Sequence, residues 1–232
     1  MSDVKLYYFN GTGRAMQIRL ALVAGGVDFE DVVPPGLPTD ETKEQWGALT
    51  KGTTTFAVPI LTVGEKVYVQ SSAILRVAGR MGDLAMTLED KDQAAYLEDR
   101  AIADADDLRT VGYRNMTFFG ATSEAADKYI TEIFPKHMKC FEAQVQGFPE
   151  GTYWGGSSTL SLADVTLYEA VEFFGLRLFE GIEGQEDPLK DCPGLKKWME
   201  KVGSNQRIKD YLASDKYNNL YMKFGKNMLG KE

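Results

Sequence analysis

Apolar and polar residues alternate with two different periods along this chain, and the change of period divides it. Val4 to Phe9 alternates β-branched and aromatic residues and predicts a strand. Asn10-Gly11-Thr12-Gly13 is a turn, and from Arg14 the apolar positions Ala15, Ile18 and Leu22 recur at helical spacing until Gly25-Gly26 stops them. Phe29 to Val33 predicts a second strand, parallel to the first because a crossover helix intervenes. Pro34 to Phe56 is rich in turn residues, with about one helical turn expected over Lys43 to Leu49. Two short strands then turn at Gly64-Glu65, and a helix follows from Ser72 to about Met81.

Beyond Glu89 only the helical period remains. Asp90 to Tyr113, Glu124 to Val145, Leu162 to Phe179, Leu195 to Val202 and Ile208 to Tyr217 read as helices. Ser161-Leu162-Ala163-Asp164 is a capping-box pattern with Asp as its third-position acid, so both residues are expected to start a helix and do no chemistry. The expected organisation is an α/β domain over residues 1–82, of order β-α-β, loop, β-β-α and thioredoxin-like. A linker near Gly82-Asp83 leads to an all-α domain over residues 90–232.

Composition narrows the partners. The 232 residues carry 26 Lys plus Arg against 34 Asp plus Glu, a net charge of −8, with no basic stripe, so nucleic acid is not an expected partner. No segment resembles a membrane span, and the first residues lack a basic region followed by an apolar one, so a cytoplasmic protein is expected. Cys140 and Cys192 have no CxxC spacing and read as reduced, inert packing residues rather than a disulfide. One histidine, His137, excludes a multi-histidine zinc site and weakens a serine triad; no metal is expected.

Candidate chemistry gathers before Met81. Pro59 lacks an N–H and must enter a strand at its edge, which leaves the backbone of Val58 for a partner other than a sheet neighbour. Gln70, Ser71 and Ser72 open a helix, where N–H groups and the dipole favour a carboxylate or phosphate. These are the parts of a platform for the main chain and anionic end of a peptide-like ligand.

In this order, Leu6-Tyr7-Tyr8-Phe9-Asn10 with Gly13-Arg14-Ala15, Val58-Pro59, Gln70-Ser71 and the Ser161–Asp164 box resemble the cytosolic glutathione transferases, tyrosine-type and sigma-class-like. The resemblance implies an enzyme that conjugates the glutathione thiolate to small hydrophobic electrophiles in detoxification. Glutathione is then a co-substrate, and no cofactor is needed. It implies that Tyr8 is catalytic, with Arg14 supplying positive potential. It places the cysteinyl part of glutathione on Val58 and Pro59, the γ-glutamyl group on Gln70 and Ser71, and the glycyl carboxylate on Trp46 and Lys51. Asp99 would reach the glutamyl amine from the partner subunit of a homodimer, and Tyr113 and Arg114 would line the second-substrate pocket. A thiol of pKa near 8.5 needs roughly 2.7 kcal/mol to ionise two units lower, within reach of one charge-assisted hydrogen bond of about 1.5–3 kcal/mol plus a positive potential.

The chain departs from that pattern in places. Thr12 stands where sigma and alpha motifs usually carry arginine, Thr50 stands where a lysine is expected with Lys51 one place on, and the 34–56 stretch is long. Positions near Arg114, Thr166 and Ala170 lack the aromatic and cysteine residues of a prostaglandin D synthase pocket. A glutathione-dependent isomerase or peroxidase, or a non-catalytic binding or structural relative, stands as the alternative. A thiol-disulfide oxidoreductase is disfavoured because Asn10-Gly11-Thr12-Gly13 has no cysteine.

Overall fold

Strand β1 (Val4–Tyr7) buries Val4 and Leu6 and leaves Lys5 and Tyr7 half-buried, the period-two split its sequence predicts. The structure, a computed structural model, describes residues 3–33, 42–50, 57–116, 122–180 and 182–220, apart from the side chains of Lys43 and Trp46. Strands β2 (Glu30–Val32), β3 (Ile60–Val63) and β4 (Lys66–Val69) join β1 in one sheet of order β2-β1-β3-β4. β2 runs parallel to β1, and β3 is antiparallel to both of its neighbours. The turn between β3 and β4 is Gly64-Glu65, as expected, with Gly64 at φ +55°. β1 is shorter than predicted: the Tyr8 N–H still reaches the Val32 carbonyl at 3.1 Å, and the chain then turns away at Asn10-Gly11.

A 3-10 turn at Gly13–Ala15 leads into helix α1 (Met16–Ala24), which ends at Gly25. Helix α2 (Lys43–Thr50) occupies the single helical turn expected in the long loop, and runs for two turns. Helix α3 (Ser71–Met81) follows β4 directly. A Cβ on Gly25 would stand 2.2 Å from the Gly82 Cα, so α1 and α3 meet backbone to backbone where both end. The core between sheet and helices is Leu6, Ile18, Leu22, Ile60, Leu61 and Ile74, all fully buried.

The described residues cluster into two units. One holds those of Met1–Ala85 together with those of Arg207–Met222, the other those of Met86–Gln206. The late return is made by α9 (Gln206–Leu212) and α10 (Asp215–Asn218), expected as one helix but separated where Ser214 caps α10 by accepting from the Tyr217 N–H. Arg207 donates to the Ala24 carbonyl at 3.1 Å, satisfying an orphan acceptor at the end of α1. Lys216 pairs with Asp31 at 3.3 Å and lies 4.2 Å from the Phe29 ring centre.

The second unit is helical, as expected. It comprises α4 (Lys91–Met116), α5 (Ser123–Lys128), α6 (Phe134–Val145), α7 (Leu162–Val171) and α8 (Pro193–Gly203). A π-widened turn at Tyr129–Ile133 joins α5 to α6 just ahead of Pro135, which has no N–H to continue the ordinary ladder. Arg109 on α4 is fully buried and binds Glu169 on α7 through Nε at 2.9 Å and Nη2 at 2.6 Å. Glu142 on α6 accepts from the N–H groups of Gly194 and Leu195, at 3.0 and 2.6 Å, and so caps α8 from outside.

The capping box is present. The Ser161 hydroxyl accepts from the Asp164 N–H while Asp164 Oδ2 accepts from the Ser161 N–H at 2.9 Å. Oδ1 of the same carboxylate accepts from the Trp154 N–H at 2.8 Å and the Trp198 indole at 2.9 Å, so this group ties three segments together. Cys192 is buried, in line with a packing role; Cys140 is exposed, because its place on α6 faces outward, and that expectation fails for it.

His137 on α6 is half-buried, and burial holds its imidazole below the ordinary histidine range against the opposing pull of Asp107 and Asp104 on α4. Lys136 beside it adds to the lowering. A histidine whose folded pKa is depressed binds its proton less well than the unfolded chain does. Its share of stability is present above the unfolded pKa of about 6.5 and is lost as pH falls from there through the lower folded pKa. Melting temperatures at pH 7.5 and 5.5 should therefore differ less in His137→Gln than in the parent protein.

Candidate functional site

The strand register carries the placement of the site. Tyr7 pairs with Ile60, and Ile60 pairs with Val69, so these three lie in one row across β1, β3 and β4. The residues just beyond that row are Tyr8 after β1, Val58-Pro59 before β3 and Gln70-Ser71 after β4. One end of the sheet thus brings together residues that lie more than 60 positions apart in sequence.

Tyr8 is half-buried, and its hydroxyl accepts a hydrogen bond from the Arg14 backbone N–H at 3.0 Å. Accepting through the oxygen leaves the phenolic proton as the group's donor. The Arg14 side chain is exposed, so the structure ties Arg14 to the phenol through its backbone. Thr12, in place of the arginine of related motifs, is buried, and its hydroxyl has no hydrogen-bond partner among the described residues.

A cation that the sequence reading missed sits behind the phenol. The Arg19 guanidinium carbon lies 5.8 Å from the Tyr8 ring centre, with its side chain 2% exposed. Nε binds Asp31 at 2.8 Å, and Nη1 donates to the Gly11 carbonyl at 2.8 Å. The guanidinium thus lies within cation–π range of the ring, its charge shared with the Asp31 carboxylate. Its signal was present: Arg19 falls four residues after Ala15, inside the apolar stripe of α1, where a charge is out of place.

The Val58–Pro59 peptide is cis, with Pro59 buried and Val58 half-buried. Val58 lies two residues before β3 begins, outside the paired stretch with β1. Gln70 is exposed and takes φ +72° and ψ 115°, an unusual backbone for a side-chain-bearing residue, at a cost on the order of 1–3 kcal/mol. Gln70, rather than either serine, is the residue ahead of α3, and its side chain makes no capping bond. Ser71, the first residue of the helix, is buried. A helix start of this kind offers N–H groups and a positive dipole end to a carboxylate.

The remaining predicted residues are placed as follows. Trp46 lies on α2, with its side chain outside the described residues, and Lys51 lies outside them altogether. Asp99, Tyr113 and Arg114 are on α4 of the helical unit. Asp99 and Arg114 are exposed, and Tyr113 is half-buried with its ring edge-on to Phe174 at 5.0 Å. Among the described residues, no group of three or more metal-ligating side chains is arranged to hold an ion. No described helix is long and apolar enough to cross a membrane.

The chain is similar to known proteins in sequence and in fold. The family model of the glutathione S-transferase N-terminal domain matches residues 3–77, and that of the C-terminal domain matches residues 106–215. Glutathione S-transferase 3 of Gallus gallus is 30% identical over 218 residues, covering 90% of this chain and 84% of that one. Glutathione S-transferase P 10 of Caenorhabditis elegans is 26% identical over 223 residues, covering 96% of both. The solved Pi-class glutathione S-transferase of Onchocerca volvulus superposes with a TM-score of 0.69 at 23% identity, covering 90% of this chain and 91% of that one, a likeness of fold. With both domain models matched in order and a relative at this identity along most of its length, the chain belongs to the glutathione S-transferase family and is a glutathione transferase, using glutathione as co-substrate.

Proposed function

We propose that this enzyme conjugates the glutathione thiolate to small hydrophobic electrophiles, in a cytoplasmic, detoxifying role, as a tyrosine-type and sigma-class-like transferase. Tyr8 donates a hydrogen bond to the sulfur and so stabilises the thiolate left when the thiol loses its proton to solvent, and that anion is the attacking nucleophile. Arg14 contributes through the N–H that fixes the phenol oxygen and through its charge near the site. The observation that carries the reading is the Arg14 N–H on the Tyr8 hydroxyl at 3.0 Å, at the sheet end that also holds Val58-Pro59 and Gln70-Ser71.

Binding of the tripeptide follows from the same edge. The cysteinyl main chain adds to Val58 beside Pro59, as an extended peptide adds to a strand. Gln70 and Ser71 hold the γ-glutamyl carboxylate at the start of α3, and the backbone outlier at Gln70 is the kind of local strain found at ligand clamps. Trp46 and Lys51 hold the glycyl carboxylate. Residues 1–82 form the glutathione-binding domain, and the helical region within 90–232 supplies the electrophile pocket, with Tyr113 and Arg114 on its wall. Asp99 reaches the glutamyl amine of the partner subunit's ligand in a homodimer.

Calorimetric titration with glutathione, alongside conjugation of 1-chloro-2,4-dinitrobenzene, tests the proposal. Wild type should bind and turn over, and Ser71→Ala should bind glutathione about tenfold more weakly through loss of a bond to a charged group. A folded wild type giving neither heat nor product would return the protein to the non-catalytic alternative.

A further inference from the structure

We propose that Gly13 is a positioning residue for the Tyr8 phenol: only a position without a Cβ lets the hydroxyl rest where it meets both the Arg14 N–H and the sulfur. The inference rests on the reading of Tyr8 as the group that stabilises the thiolate. A Cβ built on Gly13 would stand 2.2 Å from the Tyr8 hydroxyl oxygen, 2.8 Å from Cε1 and 2.9 Å from Cζ. Contacts under 3.0 Å are essentially never seen for real Cβ atoms, so something has to move.

What moves is the phenol. The root of Tyr8 is held by the 3.1 Å bond from its N–H to the Val32 carbonyl, and the Gly13 backbone is the start of the 3-10 turn that leads into α1. The ring is therefore the yielding part, and bringing its oxygen from 2.2 Å to ordinary contact displaces it by on the order of 1 Å. A displacement of that size is enough to spoil the alignment of a reacting group. It also draws the oxygen off the Arg14 N–H now 3.0 Å away.

Gly13 has a second property, which a second substitution separates from the first. Its φ is +41°, a left-handed value that disfavours most side-chain-bearing residues but that asparagine tolerates better. Ala at this position brings both the strained backbone and the Cβ. Asn eases the backbone and keeps the Cβ. If room for the phenol is what matters, both variants behave alike.

The experiment measures the pKa of the enzyme-bound glutathione thiol, from thiolate ultraviolet absorbance across pH, together with the pH profile of kcat/KM for 1-chloro-2,4-dinitrobenzene. Gly13→Ala and Gly13→Asn should each raise that pKa by about one unit and lower kcat/KM about fivefold at pH 6.5, the gap closing as pH rises. The KM for glutathione should change less than about twofold, because the γ-glutamyl and main-chain contacts are untouched. In a Tyr8→Phe background, Gly13→Ala should leave the thiol pKa where Tyr8→Phe alone puts it. The proposal is overturned by an unshifted pKa in both variants, by a wild-type pKa in Gly13→Asn, or by an equal further shift in the Tyr8→Phe background. A Tyr8→Phe single variant with an unshifted thiol pKa would instead remove the underlying role of Tyr8, and the role of Gly13 with it. Should Gly13→Ala fail to fold, the Gly13→Asn arm decides the matter alone.

Discussion

Replacing Tyr8 by phenylalanine is expected to slow conjugation roughly fiftyfold at pH 6.5 while leaving glutathione affinity nearly intact. Phenylalanine keeps the ring and removes only the hydroxyl that meets the Arg14 N–H. A thiol lowered by about two units from 8.5 is half ionised at pH 6.5, whereas the unperturbed thiol is about 1% ionised there. Loss of the hydroxyl raises the bound thiol's pKa, so the deficit is largest at low pH and shrinks as pH climbs toward 9. Arg19 remains near the ring in the variant, but its Nε and Nη1 are engaged by Asp31 and the Gly11 carbonyl, so it does not replace the bond to sulfur. The check is kcat for 1-chloro-2,4-dinitrobenzene against pH, in both proteins, at saturating glutathione. Equal rates at pH 6.5 would remove Tyr8 from the mechanism.

The largest expected effect on stability is at Asp164, far from any proposed chemistry. Asp164→Ala removes the acceptor for the Ser161 and Trp154 N–H groups, the Ser161 hydroxyl and the Trp198 indole, all in a fully buried setting. Burial pushes this carboxyl up from its ordinary range, and those four donors pull it back. Losing a helix cap costs about 0.5–2 kcal/mol, and each buried donor left unpaired about 1–3 kcal/mol. Taking each term at its low end gives roughly 4–5 kcal/mol, which in a chain of this size lowers the melting temperature by on the order of 10 °C. Ser161→Ala, which spares the two tryptophan bonds, should cost about 1 kcal/mol. Urea unfolding of the two variants checks the ranking. An Asp164→Ala protein as stable as the parent would mean that the carboxylate does not tie these segments together.

Much of this could be read from residue order, for identifiable reasons. The β-α-β start and the β-β-α finish were legible because Gly25-Gly26 and Gly64-Glu65 mark stops and turns with chemistry that few other residues supply. Tyr8, Val58-Pro59 and Gln70-Ser71 were legible as a group because each ends or begins an element, and register carries element ends to one edge. Arg19 is legible only as a charge inside the apolar stripe of α1 and Gly13 only as part of the Gly13-Arg14-Ala15 motif, since what each does depends on distances to the Tyr8 ring and oxygen. The π-widened turn before Pro135 is not legible in the sequence, because period alone does not distinguish it from α-helix. Nothing local announces that residues 207–220 pack with the first unit. Their partners, Ala24 and Asp31, lie some 180 positions earlier.

That distant pairing sets an order of events at the ribosome. The sheet and its first three helices emerge early, yet the carbonyl at the end of α1 and the Asp31 carboxylate gain Arg207 and Lys216 only after Met86–Gln206 has been translated. At about 5–20 residues per second that interval is on the order of ten seconds. The sheet unit is thus begun before the helical residues Met86–Gln206 are made and completed after them. Through that wait the surface later covered by the final helices faces whatever chaperones attend the tunnel exit.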